Sequence, residues 1–302
     1  MAVTGDSGTA SPRKSLVSIV LPTYNGAAYL GEAIESCQSQ DYTNWELIIV
    51  DDASTDKTPD IIQKYVTADP RIRAVRHPKN RRLPGALNTG FSQANGQYFT
   101  WTSDDNRYRP NAIREMVTFL ETHPEVDFVY SDFSRIDEGG AVQERVSVQS
   151  SASLIFDNYI GPCFLYKAEL QRDTGAYAED LFLAEDFDYW LRASVRFRLE
   201  PLHLDLYLYR MHAQSLSAMR TSDVRWAAER AIARSLPHLK WAEPSLRAIR
   251  FLNLARSAHL RSEWSLAARY SALAARTSFA TCIAYIARRI VRLAAPTKAT
   301  RR

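Results

Sequence analysis

Two apolar stretches of β-strand length each run directly into a pair of adjacent aspartates. The first, at 45–50, ends at Asp51 and Asp52, and the second, at 97–103, ends at Asp104 and Asp105. Neighbouring carboxylates repel each other and are costly to remove from water, so stability alone rarely places them at strand ends. In open α/β sheets, ligands bind at the carboxyl ends of the strands. The two pairs therefore predict a sheet edge that holds a cation, a sugar or a nucleotide.

Strand-like and helix-like segments alternate in the first part of the chain. Apolar and β-branched runs occupy 15–22, 45–50, 72–75, 98–102 and 128–131, and helical spacing occupies 29–40, 58–67, 84–94 and 111–122. Short helices between strands imply parallel βαβ units with right-handed crossovers. We therefore predict an α/β fold with a mostly parallel sheet flanked by helices.

Past residue 140 the alternation loosens. We predict an edge strand at 142–148, short strands at 164–167 and 206–210, a helix at 187–193, and further helices at 223–239, 245–261, 263–276 and 279–294. The 302 residues then divide into a disordered leader at 1–14, an α/β domain at 15–220 and a helical C-terminal region at 221–302.

The net charge of +4 hides an asymmetry between these parts. Residues 1–220 carry 22 Lys and Arg against 30 Asp and Glu, whereas 221–302 carry 16 against 4, giving net charges of −8 and +12. A basic end of this kind is typical of a surface-binding segment, or of a helical appendage docked on an acidic body.

Cysteine usage and hydropathy indicate the compartment. Three widely spaced cysteines, Cys37, Cys163 and Cys282, fit neither a metal site nor a disulfide framework, which favours a reducing environment. The leader has no apolar segment typical of a signal peptide, and no stretch reaches the roughly 18 apolar residues that span a bilayer. We predict a cytoplasmic protein, with peripheral contact to the inner face of the membrane as an option.

The loop after the first predicted strand excludes one class of nucleotide enzyme. A dinucleotide-binding fold would have Gly-x-Gly-x-x-Gly here, and the chain instead has Leu-Pro-Thr-Tyr-Asn-Gly at 21–26. Thr23, Tyr24 and Asn25 offer a hydroxyl, an aromatic ring and an amide that could stack on and hydrogen-bond a base. A plain strand-to-helix turn is the alternative.

The acid pairs also have two interpretations each. Asp51 and Asp52 could accept from a nucleobase N–H or a ribose hydroxyl, or Asp52 or Ser54 could cap the following helix. Asp104-Asp105-Asn106 suits a hard divalent cation that would neutralise a diphosphate leaving group, or the acids could simply be solvated in a loop.

Five segments, in this order and spacing, resemble those of the family 2 glycosyltransferases. They are Ile-Val-Leu-Pro-Thr-Tyr-Asn at 19–25, Ile-Val-Asp-Asp-Ala-Ser at 49–54, the acids at 104–105, a Glu-Asp segment at 184–192 and an Arg-x-His-x-x-Ser segment at 209–217. The resemblance covers about 15–220. It implies a GT-A fold and an inverting, metal-dependent enzyme that moves a sugar from a nucleoside diphosphate to an acceptor hydroxyl in glycan, cell-envelope polysaccharide or glycolipid synthesis.

The resemblance also implies roles in binding the donor. Pro22, Thr23 and Tyr24, with Asn25 beside them, would border the base. Asp52 would hydrogen-bond the base, uracil or thymine, so that the donor is a UDP- or dTDP-sugar. The diphosphate or base would be reached by Arg82, or by its neighbour Arg81. Asp104 would hold the ribose or the sugar.

The remaining implied roles concern the metal and the reaction. Asp105 would bind Mn²⁺ or Mg²⁺; because Asp-Asp-Asn departs from the family's Asp-x-Asp or x-Asp-Asp, Asp104 stays open as the ligand. His212 would complete the metal site or contact the diphosphate, unless it is merely solvated. Asp186 would be the general base, with Glu185 as the competing candidate. Both acids could instead serve the first turn of a helix.

Two other functions are compatible with this architecture. A sugar nucleotidyltransferase would need a Gly-rich basic loop after the first strand, and Gly26-Ala27-Ala28 does not supply it. A non-catalytic glycan-binding protein would not need the acids at 104, 105 and 186. We expect no nucleic-acid partner.

The last predicted helix is amphipathic. Phe279, Ile283, Ile286, Ile290 and Leu293 recur at steps of four and three, with Arg288 and Arg292 on the opposite face. This pattern predicts contact of 277–295 with an anionic membrane, where a lipid-linked acceptor would be found, or packing against the body.

Overall fold

The computed structural model describes residues 15–215 and 219–294. The leader predicted at 1–14, and residues 216–217 of the Arg-x-His-x-x-Ser segment, lie outside that range. The strands are β1 (Val17–Thr23), β2 (Trp45–Asp51), β3 (Ile72–Arg76), β4 (Tyr98–Trp101), β5 (Arg107–Tyr108), β6 (Phe128–Ile136), β7 (Val142–Val146), β8 (Phe164–Lys167) and β9 (Leu199–Arg210). The helices are α1 (Leu30–Gln38), α2 (Thr58–Ala68), α3 (Arg82–Phe91), α4 (Ala112–Thr122), α5 (Ala168–Thr174), α6 (Glu185–Ala193), α7 (Thr221–Ser235), α8 (Pro244–Leu260), α9 (Trp264–Thr277) and α10 (Phe279–Ala294).

The first half of the sheet is parallel, as predicted. The strands lie in the order β3-β2-β1-β4, with β1 in register against both β2 and β4. The apolar residues of β1 and β2 are buried on both faces, as is typical of strands covered by helices on either side. Because the three central strands run in one direction, the loops after β1, β2 and β4 meet at one edge.

The second half of the sheet is mixed. β8 is antiparallel to both β4 and β6, and β6 pairs in parallel with β9. The predicted strands at 128–131 and 206–210 are the ends of much longer strands, and β5 and α5 were not predicted. The result is a mixed α/β fold with a mostly parallel N-terminal half and helices on its faces.

The C-terminal region is helical, as predicted. α7 packs on α6 of the α/β domain through buried Ala231, Ile232 and Leu236, and α8 pairs with α9. The domain boundary at 220 stays a prediction. Within the described residues, no helix combines the length and apolar character that a membrane crossing requires.

The capping interpretation of the first acid pair is wrong. α2 begins at Thr58, whose N–H donates to Asp56 Oδ1 at 2.9 Å. Ser54 Oγ instead accepts from the N–H of Asn25, and Asp52 has partners elsewhere. Neither residue is therefore needed by the helix.

Candidate active site

Thr23, at the end of β1, connects the two acid pairs. Its carbonyl oxygen accepts from the N–H of Asp52 at 2.9 Å, and its hydroxyl donates to Asp104 Oδ2 at 2.5 Å. The parallel register of β1 with β2 and β4 sets this arrangement. The two pairs are about fifty residues apart in sequence. They therefore lie next to the same residue, Thr23.

Asp52 is almost completely buried and held in one orientation. Its Oδ1 is 2.6 Å from His77 Nδ1 and accepts from the backbone N–H of Arg81 at 2.8 Å. His77 Nε2 lies 2.9 Å from Thr89 Oγ1, which fixes the ring from its other side. Sequence reasoning missed His77 because a single histidine after a short strand belongs to no motif.

The predicted base-binding residues at 22–25 differ in their exposure. Pro22 is buried within β1 opposite Val50, whereas the ring of Tyr24 is 50% exposed and free to stack. Asn25 has a φ of 55° and its Oδ1 accepts from the N–H of Thr55 at 2.8 Å. Asn25 thus joins the loops after β1 and β2, and Tyr24 is the residue of this segment that offers a surface.

Gly26 lets the loop after β1 approach Asp104. A Cβ atom added there would lie 2.1 Å from Asp104 Oδ2 and 2.5 Å from Thr23 Oγ1. Only a residue without a side chain fits that space.

We expect Gly26→Ala to weaken UDP binding while the fold is retained. The methyl group must displace the Asp104 carboxylate, and overpacking of this kind costs about 1–3 kcal/mol, or roughly five- to a hundredfold in affinity. Calorimetric titration of UDP in the presence of Mn²⁺ measures the effect. Gly31→Ala is the matched control, since its Cβ would meet Tyr65 only at an ordinary 3.4 Å; equal UDP affinity in both variants would contradict the prediction.

The second acid pair lies beside His212. His212 Nε2 is 2.9 Å from Asp105 Oδ2, and Asp105 Oδ1 is buried without a hydrogen-bond partner among the described residues. Burial raises the pKa of Asp104 to about 7, and the neighbouring Asp105 carboxylate adds to the increase. This concentration of poorly compensated carboxylate oxygen favours an incoming cation.

The described residues contain no group of three or more His, Cys, Asp or Glu side chains arranged to hold a metal ion. Asp105 and His212 nevertheless fit a cation that takes most of its ligands from water and from substrate phosphates. Magnesium is commonly bound in that way, through one or two protein ligands.

Arg210, the arginine of the Arg-x-His-x-x-Ser segment, supports the loop after β4, a role that the sequence reasoning did not assign to it. It is 1% exposed, and its Nε donates to the carbonyl of Asp105 at 2.9 Å. Its Nη2 donates to Glu32 at 2.6 Å, and the guanidinium lies 4.3 Å from the centre of the Tyr29 ring. The same Tyr29 ring contacts His212 at 5.4 Å, so Arg210 and Tyr29 together position both candidate metal ligands.

Arg81 and Arg82, at the start of α3, connect the region of Asp52 with the loop before α6. The Arg81 side chain pairs with Glu179 at 2.8 Å, and Arg82 lies over the ring of Phe182 at 5.2 Å. The predicted diphosphate contact, Arg82, is exposed and forms no ion pair among the described residues. It therefore remains available to a ligand, whereas Arg81 is already engaged.

Asp186 is the second residue of α6, which begins with Glu185 directly after this loop. Its Oδ2 accepts from Asn158 Nδ2 at 2.9 Å, and its Oδ1 from the N–H of Phe187 at 2.7 Å. Glu185 accepts from the N–H of Leu183 at 2.7 Å. Burial raises the pKa of both carboxyl groups. More hydrogen bonds stabilise the ionised form of Asp186 than that of Glu185. When the pair holds one proton, that proton is therefore on Glu185.

No hydrogen bond or ion pair joins Asp186 to Asp104 or Asp105 within the part of the chain that the structure describes. The connection runs through the 179–183 loop, which contacts Arg81 and Arg82 at one end and Glu185 at the other. Asp186 is therefore linked to the two acid pairs indirectly, through this loop.

Residues 18–182, more than half of the chain, match the model of glycosyl transferase family 2. The chain belongs to this family. An uncharacterized protein, y4gI, of Sinorhizobium fredii is 32% identical over 226 residues, which are 73% of this chain and 25% of that protein. An uncharacterized glycosyltransferase of Rickettsia prowazekii, RP339, is 32% identical over 66% of this chain and 64% of its own length. The chain thus spans a quarter to two thirds of these relatives.

Solved structures of glycosyltransferases share the fold. Residues 1–349 of Staphylococcus aureus TarS, in complex with UDP-GlcNAc, superpose with a TM-score of 0.62 at 20% identity, covering 78% of this chain and 71% of that one. The mannosyltransferase PcManGT of Pyrobaculum calidifontis, in complex with GDP-Man and Mn²⁺, gives 0.55 at 18% identity and 87% of both chains. The predicted GT-A-type fold and family are therefore confirmed.

Proposed function

We propose that this glycosyltransferase moves a sugar from a UDP- or dTDP-linked donor to an acceptor hydroxyl, with inversion at the anomeric carbon. The observation that carries the proposal is the position of Thr23, hydrogen-bonded both to Asp52 and to Asp104. The closeness of Asp52 and Asp104 to this one residue supports a base acceptor and a cation-binding acid that serve the same nucleoside diphosphate. A membrane-linked glycan intermediate or a growing polysaccharide is the acceptor class we favour.

The donor base would lie between Tyr24 and Asp52. The exposed Tyr24 ring provides a stacking surface, and the buried Asp52 carboxylate can accept from the ring N–H of uracil or thymine. His77 and Arg81 hold that carboxylate in place. The TarS complex with UDP-GlcNAc supports a uridine nucleotide on a similar fold.

Asp105 and His212 would hold Mn²⁺ or Mg²⁺, with Asp104 beside them. When bound, the cation supplies positive charge that stabilises the departing diphosphate. Arg210 and Tyr29 keep the two ligands in place, and Arg82 is free to contact the diphosphate. PcManGT in complex with GDP-Man and Mn²⁺ supports a metal on this fold.

Asp186 would act as the general base. The acceptor hydroxyl gives its proton to the Asp186 carboxylate as its oxygen attacks the anomeric carbon from the face opposite the diphosphate. The C–O bond to the diphosphate breaks as the new glycosidic bond forms, which inverts the configuration. Asn158 holds the carboxylate toward the substrate side of α6 without protonating it.

A screen of nucleotide sugars by thermal shift, followed by product analysis, tests the proposal. We expect UDP- or dTDP-sugars to stabilise the protein with Mn²⁺ present and to release the nucleoside diphosphate. Release of pyrophosphate from a sugar phosphate and a nucleoside triphosphate would instead identify a nucleotidyltransferase. Donor binding with neither hydrolysis nor transfer would indicate a binding protein.

The adjacent acids predict a pH dependence. Because burial raises the pKa of Asp186 and the base must be ionised, turnover should rise with pH through that elevated pKa. Glu185 keeps its proton to higher pH than Asp186, so Glu185→Gln removes no charge while Asp186 titrates and should leave the rising limb in place. Initial rates between about pH 5 and 9 at saturating donor test this, and a limb displaced to lower pH in Glu185→Gln would contradict it.

We also propose that α10 contacts an anionic membrane surface. Cys282 is buried and the Tyr285 hydroxyl lies 3.3 Å from Asn253, so one face of the helix packs on α8. Phe279, Ile283 and Ile286, spaced four and three apart, are 66%, 55% and 53% exposed. Residues 276–302 contain seven Lys and Arg and no acid. An exposed apolar stripe in a cationic segment is complementary to anionic lipid.

Flotation with liposomes containing anionic phospholipid is expected to recover the full chain but not the variant Ile283→Glu/Ile286→Glu. The substitutions place charge on the exposed stripe and leave the packed face unchanged. Tyr285→Phe, on the packed face, is the matched control and should float like the unmodified chain. Equal flotation of the full chain and of a chain lacking residues 277–302 would exclude this membrane contact.

A further inference from the structure

A cavity of about 740 Å³ lies beside the start of α6, between the loop at 156–157 and the helices α7 and α8. Its walls come from the loop at Phe156 and Asp157, from Phe187 of α6, and from α7 and α8. Phe187 follows Asp186 in sequence, and Asp157 precedes Asn158, the hydrogen-bond partner of Asp186. The cavity therefore lies next to the two segments that hold the candidate base and its partner, although neither Asp186 nor Asn158 is among its lining residues.

Three arginines line this cavity: Arg225 of α7, and Arg250 and Arg256 of α8. None of them forms an ion pair among the described residues. Arg250 donates to the carbonyl of Phe156 at 2.8 Å, and its buried Nε–H has no acceptor within the described part of the chain.

The cationic character of the wall is not cancelled by its acids. Glu229 is already bound by Arg261, which lies outside the lining, at 2.7 Å, and by the hydroxyl of Ser257. Asp157 is then a single negative charge beside three positively charged guanidinium groups in the lining. Burial lowers the pKa of Arg250, and the nearby Asp157 and Glu229 carboxylates offset this only in part. A bound anion would supply the missing compensation.

Apart from Asn253 and Ser257, the rest of the lining is apolar. Phe156, Phe187 and Leu254 face the same space. Guanidinium groups match phosphate oxygens in geometry and charge, and the neighbouring rings and aliphatic side chains suit a hydrocarbon group. A neutral sugar, which presents only hydroxyl groups, would need neither the guanidinium groups nor the apolar side chains.

We infer that this cavity is the acceptor subsite, and that it binds the phosphate or diphosphate group of a phosphorylated acceptor through Arg225, Arg250 and Arg256. This inference rests on the proposed function, since Asp186 must be the base for the cavity to serve the acceptor. The C-terminal helices would then form part of the active site and not a separate appendage.

Calorimetric titration of the full chain with geranyl diphosphate and with inorganic pyrophosphate, in EDTA, tests the subsite without the metal-dependent donor site. We expect binding to the unmodified chain. In Arg250→Gln and in Arg256→Gln we expect the affinity to fall by at least about tenfold, since each substitution removes one charged hydrogen-bond donor group. Arg247→Gln is the matched control, because Arg247 lies one turn earlier on α8 and does not line the cavity. Much tighter binding of geranyl diphosphate identifies a lipid-linked acceptor, whereas equal binding of both probes identifies a soluble phosphorylated one.

UDP binding with Mn²⁺, measured on the same variants, shows whether the donor site is intact. It should be unchanged in Arg250→Gln, Arg256→Gln and Arg247→Gln. If Arg250→Gln disturbs the fold, the substitution of the exposed Arg256 decides the test alone. Absence of binding to the unmodified chain, or equal affinity in the cavity variants and the control, would overturn the subsite. Failure of UDP to bind would instead overturn the proposed donor site, whatever the outcome for the two probes.

Discussion

Asp186→Asn is expected to lower the rate of sugar transfer by about 100- to 10,000-fold, the usual contribution of a general base, while UDP binding remains unchanged. The amide is isosteric, and its oxygen can still accept from Asn158 or from the N–H of Phe187. The substitution thus removes the proton acceptor without opening a cavity or leaving a buried charge unpaired. Single-turnover rates and calorimetric titration with UDP and Mn²⁺ separate the two effects.

Asp180→Asn provides the control for Asp186→Asn. Asp180 lies in the same segment before α6, but its carboxylate is 57% exposed and pairs with Arg234 on the protein surface. We expect it to retain full turnover. Glu185→Gln tests the competing assignment, and full activity in Asp186→Asn together with inactivity in Glu185→Gln would transfer the role of base to Glu185.

The N-terminal half of the fold could be predicted because its signals are local. β1 to β4 alternate with short amphipathic helices, and each strand boundary was located within two residues. The acids at 51–52 and 104–105 were informative for the same reason, since strand direction alone brings strand ends to one edge. The prediction of the N-terminal half thus depended mostly on patterns among residues that are close together in the sequence.

β9 shows where local signals end. Its first half contains Pro201, His203 and Asp205, which do not resemble a strand. It forms because β6, about seventy residues earlier, offers a parallel partner, with Asp132 opposite Asp205. Pairing over such a distance depends on tertiary context, to which strand propensity is sensitive.

The supporting residues of the site were hidden for a related reason. An isolated arginine such as Arg210 is normally expected at the surface. Its burial depends on Glu32, 178 residues away, and on the carbonyl oxygens of Asp105 and Glu138. Only the folded chain brings these groups together, so the sequence could indicate the acids but not the groups that position them.

Asp105→Asn is expected to abolish the dependence of UDP binding on Mn²⁺. Asp105 Oδ1 is buried with no partner among the described residues, and Oδ2 faces His212, so the carboxylate is oriented for a cation by the Arg210–Tyr29 support. Loss of groups that merely support a ligand costs about 10- to 100-fold in metal affinity, and loss of the ligand's charge should exceed that.

UDP titrations of Asp105→Asn in Mn²⁺ and in EDTA should therefore give the same weak affinity, whereas the unmodified chain should bind UDP much more tightly in Mn²⁺. Asp104→Asn, measured in parallel, identifies the main ligand, because Asp104 is bound to Thr23 and has less freedom to face a metal. Asp41→Asn, an exposed partner of Arg114, controls for the general loss of a negative charge. If Mn²⁺ still strengthens UDP binding in Asp105→Asn but not in Asp104→Asn, the metal is held by the first acid of the pair, and His212 then contacts the diphosphate.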